Sequence, residues 1–314
     1  MHGRAPLVLA VGVAAATALL APRPATAQSA APSTAKTYPD GHGGKVTFPA
    51  GDVSFADSVV SFDTGDPPPV KNARHASEVL GAPDYVTSKD TGYVSLGCGG
   101  SITLQFVDNA LFDVKGPDLF VFEIGPAVEP TDLAISRGGK HWTKVGKIEG
   151  GRADVDIGPE VEPGETFRYV RLTDLKSDCG GDWPGADLDA VGAIGTGRRF
   201  TLSSSVLFGV DSAQLKPAAK SALSAVADSL RGMGTGTVRI VGYTDATGTT
   251  AHNRALSRRR AESVRDYLKG AADLSGYDLV VVGAGESEPI AGNGTPEVRA
   301  KNRRVEITFV GDGG

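Results

Sequence analysis

Tryptophan, methionine and cysteine each occur only twice in the 314 residues, and aromatic residues make up 6%. Two tryptophans, Trp142 and Trp183, cannot furnish the aromatic girdles of a transmembrane barrel. The strand-like segments are also shorter than the ~9–11 residues that each barrel strand needs. Basic residues hold no surplus. Lys+Arg total 32 against 37 Asp+Glu, a net charge of −5, so the basic patch of a nucleic-acid binder is missing and no nucleic-acid partner is expected. A Gly-x-Ser-x-Gly elbow is absent, and neither His75 nor His141 stands in a nucleophile motif. His42 sits alone in Asp40-Gly41-His42-Gly43-Gly44. Carboxylate pairs for glycoside cleavage stay open, because their spacing in space cannot be read from the chain. After Ala21 no apolar run reaches the ~20 residues of a spanning helix.

What the chain does contain is ordinary globular material, 40% hydrophobic and 22% charged, with 42 Gly and 19 Pro marking frequent turns. Residues 1–27 read as a signal peptide, an uncleaved membrane anchor being the rival reading that the short, Ala-rich apolar run disfavours. Arg4 supplies the positive end, Ala5 to Ala21 the apolar run, and Ala25-Thr26-Ala27 the cleavage site, so the mature chain would begin at Gln28. No cysteine follows the cleavage site to accept a lipid. Export leads into an oxidising compartment, where Cys98 and Cys179 are expected to form a disulfide; two separate buried thiols are the other reading.

Residues 28–39 are rich in Ala, Ser, Thr and Pro and read as a flexible leader. From 40 to 197, short apolar alternations such as Ser101–Val107, Asp118–Glu123 and Phe167–Leu172 are separated by Gly-Pro, Pro-Gly and Gly-Gly pairs. That spacing predicts an all-β sandwich, jelly-roll-like, with one helical turn over Ala76–Leu80. The texture changes after Gly195-Thr196-Gly197. Ser203–Phe208 reads as a strand, and Leu215, Ala219, Leu223, Val226 and Leu230 recur at helical spacing, ended by Gly232 and Gly234. Thr237–Tyr243 reads as a strand, Thr250–Leu268 as a helix stopped by Gly270, and Asp278–Val282 and Arg304–Phe309 as strands. Residues 198–310 are therefore expected to be a two-layer α/β sandwich, βαβαββ-like, with 311–314 a tail.

Within that second half, Thr244-Asp245-Ala246-Thr247-Gly248 follows a strand, and Arg260 lies in the next helix. At 1.5 Å rise per residue Arg260 is near enough to the helix start for its side chain to reach back to the turn. Asp245 only accepts hydrogen bonds, whereas Arg260 donates through a planar fork. Together they can grip a small zwitterion, ammonium against carboxylate and carboxylate against guanidinium. The simpler roles are an Asp that caps its own turn and an Arg on a solvated face of Arg258-Arg259-Arg260.

The stretch Ser203–Val310, with Phe208-Gly209-Val210-Asp211, Asn253-x-x-Leu256-Ser257-x-x-Arg260-Ala261 and Asn302-Arg303-Arg304-Val305-Glu306, resembles the OmpA-like peptidoglycan-binding family. The resemblance implies that Asp245 takes the ammonium and Arg260 the carboxylate of diaminopimelate in the cell-wall stem peptide. It implies that Thr244, Asn253, Leu256 and Asp211 line the pocket and that Arg304 braces it. Tyr243 stands where the family often has His, and Gly209 where it often has an acidic residue.

The front half loosely resembles galactose-binding or discoidin-like β-sandwiches, through Ala76–Asp84, Val121-Phe122-Glu123 and Ala186–Ala193. Asp187 and Asp189 alternate with apolar residues and would share a strand face. With Glu123 or Asp84 they could make an oxygen-rich calcium site, an acidic solvated edge being the alternative. Trp183, with Asp178 and Asp182 beside Cys179, could contact sugar. The expectation is a non-enzymatic protein of the periplasm or outer-membrane-associated envelope. It binds the peptidoglycan stem peptide and displays a sandwich that meets an envelope protein or glycan. The alternative is a wall-targeted hydrolase with its active site in the front domain.

Overall fold

The computed structural model describes residues 35–311 apart from 87–88, 90, 126–128, 149–152, 163 and 232–235. The signal peptide, the first part of the leader and the glycines at 232 and 234 lie outside the described residues. In chain order the first strands are β1 (Lys36–Pro39), β2 (Lys45–Phe48), β3 (Ser58–Asp63), β4 (Val94–Ser95), β5 (Ser101–Gln105), β6 (Asn109–Leu111), β7 (Leu119–Glu123) and β8 (Thr131–Ser136). They are followed by β9 (Thr143–Ile148), β10 (Asp154–Val155), β11 (Tyr169–Asp174) and β12 (Asp187–Ala193). The remainder is β13 (Thr196–Ser203), α1 (Ser204–Leu207), α2 (Ala219–Leu230), β14 (Gly236–Tyr243), α3 (Thr250–Ala271), β15 (Tyr277–Gly285), α4 (Pro296–Asn302) and β16 (Arg304–Gly311). The described chain is thus mostly β with few helices.

The front half is two antiparallel sheets, β10-β7-β12-β4 and β3-β5-β11-β8-β9. Val94, Leu119, Val121, Leu188 and Val191 from the first sheet meet Ile102, Leu104, Leu133, Ile135, Val170 and Leu172 from the second in one buried core. Such facing alternation is what makes two sheets a sandwich. Strand β7 is buried along its whole length. Phe120 and Phe122 pack with Tyr38, Phe48 and Phe55 in a separate aromatic cluster. The β1–β2 hairpin supplies Tyr38 and Phe48 to this cluster and so packs against β7. Lys36–Pro39, read from sequence as leader, is therefore a paired strand. Asp40 holds the hairpin turn by accepting from the backbone N–H of His42 (2.9 Å) and Gly44 (2.7 Å). Cys98 and Cys179 are joined in a disulfide.

The second half packs α2 and α3 on a sheet of order β15-β14-β16-β13, with β14 and β15 parallel and the other pairs antiparallel. Leu223, Val226, Leu230, Ala261, Val264 and Leu268 from the helices bury against Leu202, Val238, Ile240, Val305 and Ile307. The helix–strand pattern differs from the expected βαβαββ. Ser203–Phe208 is not a strand: Ser203 ends β13, and its Oγ accepts from the Ser205 N–H to cap α1. Helix α4 was not foreseen, although Thr295 caps it and Pro296 opens it. Gly270 does not stop α3, which runs on to Ala271. No helix among the described residues is long and apolar enough to cross a membrane.

The two halves are joined through the sheet itself. Strand β6, from the front half, pairs with β13 at Thr196↔Leu111, Gly197↔Ala110 and Arg198↔Asn109. Gly195 and Gly197 are packing residues at this seam: a Cβ on either would run into a carbonyl oxygen, of Phe112 or Phe309 respectively. Charge is buried across the same seam. Glu306 of β16 accepts from Arg304 Nε (2.7 Å) and lies 3.3 Å from Arg199 and 3.6 Å from Arg168. Burial alone would raise the Glu306 carboxyl, but Arg168, Arg304 and Arg199 hold it down at about 2.

Candidate ligand-binding site

The turn after β14 begins with a backbone bond from Thr244 N–H to the Gly285 carbonyl (2.7 Å), which pins the end of the strand. Asp245 follows. Its Oδ1 accepts the Thr247 N–H (2.9 Å) in an Asx-turn, and its Oδ2 accepts from Arg303 Nη1 (2.5 Å). Burial would raise this carboxyl, but Arg303 and Thr247 outweigh it and hold Asp245 below the usual range, so it is an anion at neutral pH. The turn ends at Thr249, which caps α3 by accepting the His252 N–H (3.2 Å).

Helix α3 lies unusually close to β14. A Cβ on Gly242 would collide with the carbonyl oxygen of Ser257, so only glycine lets the helix approach this far. That approach brings Arg260 beneath the turn region. The guanidinium is buried, stacks 5.3 Å from the Phe208 ring centroid, and donates from Nε to the Ser212 carbonyl (2.8 Å) and from Nη2 to the Gly209 carbonyl (3.4 Å). Neither bond uses Nη1. Asn253, also buried, donates to the Asp245 carbonyl (3.3 Å) and to Glu286 Oε2.

These residues surround a cavity of about 550 Å³. Of the seven residues assigned to the site from sequence, the cavity is lined by six: Thr244, Asp245, Asn253, Leu256, Arg260 and Asp211. Arg304 is not among them. It is buried 3.7 Å from the Tyr243 ring centroid, bonded to Glu306 and to the Glu288 carbonyl (3.2 Å), and so supports the strand that carries the site. Asp211 adopts φ +50° and lies 2.7 Å from His252 Nε2. Lys216, Arg299 and Arg303 also line the cavity, which the sequence did not lead one to expect. Arg303 was in view as the neighbour of Arg304, but which of the two faces Asp245 depends on strand register. With Arg260 these make four cations against the carboxylates of Asp211 and Asp245, so the cavity favours a ligand with surplus carboxylate. The Thr244 hydroxyl is buried with no hydrogen-bond partner among the described residues.

Residues 207–303 match the OmpA family. This stretch is an OmpA family domain. Among relatives, the "Peptidoglycan-binding protein ArfA" of Mycobacterium tuberculosis is 49% identical over 102 residues, 32% of this chain and 31% of its own length. "Outer membrane protein A" of Bordetella avium is 40% identical over 113 residues, 36% of this chain and 58% of its own length. Among solved structures, the cell wall anchor of the T6SS from Pseudomonas aeruginosa is 32% identical, over 37% of this chain and 82% of that one, with a TM-score of 0.32. The chain thus spans about a third of the mycobacterial relative and somewhat over half of the Bordetella one.

Outside the OmpA domain, the four carboxylates assigned to a calcium site fall into two places. Asp189 Oδ1 accepts the Asp84 backbone N–H (2.9 Å), and burial lifts its carboxyl to about 6. Glu123 is buried near Glu129 and Asp187, and burial, with those carboxylates adding, lifts it to about 8. The register of β12 on β7 shifts between Leu188 and Ala190, and this irregularity re-aims Asp189 relative to Asp187. Among the described residues, the acidic group whose oxygens all lie within 4.8 Å of one another is instead Asp113, Asp118 and Asp156. Both Asp118 oxygens are engaged there, by the N–H groups of Val114 (2.6 Å) and Ile157 (2.7 Å). Trp183 is exposed.

Proposed function

We propose that this is an exported envelope protein whose OmpA domain, residues 198–310, binds peptidoglycan non-covalently, and that this binding anchors the β-sandwich of residues 40–197 at the wall. The ligand group is the diaminopimelate of the stem peptide. The observation that carries the reading is the single cavity in which Asp245 and Arg260 both stand. A free amino-acid end presents one ammonium and one carboxylate, and these two side chains complement both. The cationic surplus from Lys216, Arg299 and Arg303 suits a stem peptide with further carboxylates, and the unpaired Thr244 hydroxyl offers one more contact. The name of the mycobacterial relative points the same way.

The test is co-sedimentation with purified diaminopimelate-type sacculi. Asp245→Asn keeps the acceptor for Thr247 but removes the charge, and Arg260→Ala removes the fork. Both should stay in the supernatant while the wild type pellets, with unchanged circular dichroism. Pelleting of both variants at the wild-type level overturns the site. The same incubation reads the alternative: a wall hydrolase releases soluble fragments from the sacculi, whereas an anchor releases none.

A further inference from the structure

Beside the Asp245 pocket lies a second cavity, of about 510 Å³, which neither half could form alone. One wall is the turn between β8 and β9 in the sandwich, Arg137 to Thr143; the other is Glu286–Pro289 of the OmpA domain. Arg137 closes the seam, bonded to Glu165 in its own half and to Glu288 (3.3 Å) in the other. Glu288 is fixed in turn by the Tyr243 hydroxyl (3.2 Å) and by Arg304, which donates to its carbonyl. It holds φ +55°, a conformation that surrounding bonds must maintain. The walls are therefore pre-organised.

The groups on these walls suit a polyhydroxylated ring. Trp142 is half-buried, held by the Arg171 guanidinium 3.9 Å from its centroid. Among the described residues the Trp142 indole N–H, the Lys140 ammonium and the His141 ring make no hydrogen bond or ion pair. Facing them stand the Glu286 carboxylate and Ser287. An aromatic body, unspent donors on one side and an acceptor on the other are what bind a sugar through its C–H surface and its hydroxyl and amide groups.

Glu286 is also tied to the neighbouring pocket by hydrogen bonds. It accepts from Asn253, which lines that pocket, and from the Thr250 hydroxyl (2.8 Å). The Asn253–Glu286 bond thus links a residue lining one cavity to a residue lining the other. In the wall polymer only two residues lie between diaminopimelate and the amino sugar.

We propose that this cleft is a second wall-binding subsite and takes the N-acetylated amino-sugar unit that carries the stem peptide held by Asp245 and Arg260. The proposal rests on the reading of that pocket given above. Calorimetry on the full chain tests it with two ligands, a stem tripeptide ending in diaminopimelate and the same tripeptide on its disaccharide. The glycosylated ligand should bind about tenfold tighter. Trp142→Leu, and separately the exposed pair Lys140→Ala with His141→Ala, should cut that gain to less than about twofold and leave tripeptide affinity unchanged. Equal affinity of the wild type for both ligands, or a gain that survives in both variants, overturns the cleft alone. Failure of the bare tripeptide to bind overturns the pocket reading and the cleft with it.

Discussion

Replacing Glu306 by Gln should cost the protein a large part of its stability, through the seam between the halves. Glu306 is the one carboxylate among Arg168, Arg199 and Arg304, with its side chain 8% exposed. Its carboxyl falls from the usual 4.5 to about 2 in the fold. That depression corresponds to about 3 kcal/mol of stability at neutral pH. Removing one partner of a buried ion pair costs about 3–5 kcal/mol in general, so two independent routes agree. The variant leaves three guanidinium groups around one point without an anion, and Arg199 Nε already lacks a hydrogen-bond partner among the described residues. The assay is urea unfolding followed by both far-UV circular dichroism and tryptophan fluorescence, since the tryptophans report on the sandwich. The sign with pH is fixed by the depressed carboxyl: its stabilisation is complete above about 4.5 and is lost as pH falls through about 2. The gap between wild type and variant should therefore be constant from neutral pH to about 5 and close on further acidification. A loss below about 1 kcal/mol at neutral pH, or a gap that does not change with acid, refutes the reasoning.

Glu123→Gln should act in the opposite sense. The folded carboxyl sits at about 8 against the usual 4.5, so stability present at acid pH is lost as pH rises between those values; the variant should match the wild type near pH 4 and exceed it at pH 9, by at most about 5 kcal/mol in thermal or denaturant unfolding. Gly242→Ala should destabilise by about 1–3 kcal/mol and weaken binding to sacculi, because α3 must lift off β14 and carry Arg260 with it. Reduction of the Cys98–Cys179 disulfide, which spans 81 residues, should cost about 4 kcal/mol in the chain-entropy account and lower the melting temperature of the sandwich.

The parts of this molecule that could be read from its sequence are those with local signatures. Helix α3 declares itself through Ala261, Val264 and Leu268, and β16 through Val305, Ile307 and Phe309. The pocket was legible because Asp245 and Arg260 are held by one strand, one turn and one helix that follow each other directly. What escaped is non-local or too short to have a period. Helices α1 and α4 have four and seven residues, too few for an apolar stripe to show, and the α1 segment reads as strand in the sequence. Lys36–Pro39 has the composition of a leader and becomes a strand only because β2 pairs with it. Gly195 and Gly197 look like linker glycines in sequence and are close-packed in space. The irregularity at Asp189 shifts a carboxylate that simple alternation would place beside Asp187. Arg168, Arg199 and Glu306 form their cluster only when both halves are present.

Strand β13 pairs with β6 on one side and with β16 over six residues on the other, from Arg198↔Phe309 to Ser203↔Arg304. A pull directed along β13 would load those hydrogen bonds side by side and not one after another as in peeling. A sandwich tied to the OmpA domain by paired strands as well as by the chain itself has less freedom to turn than one carried on a linker alone.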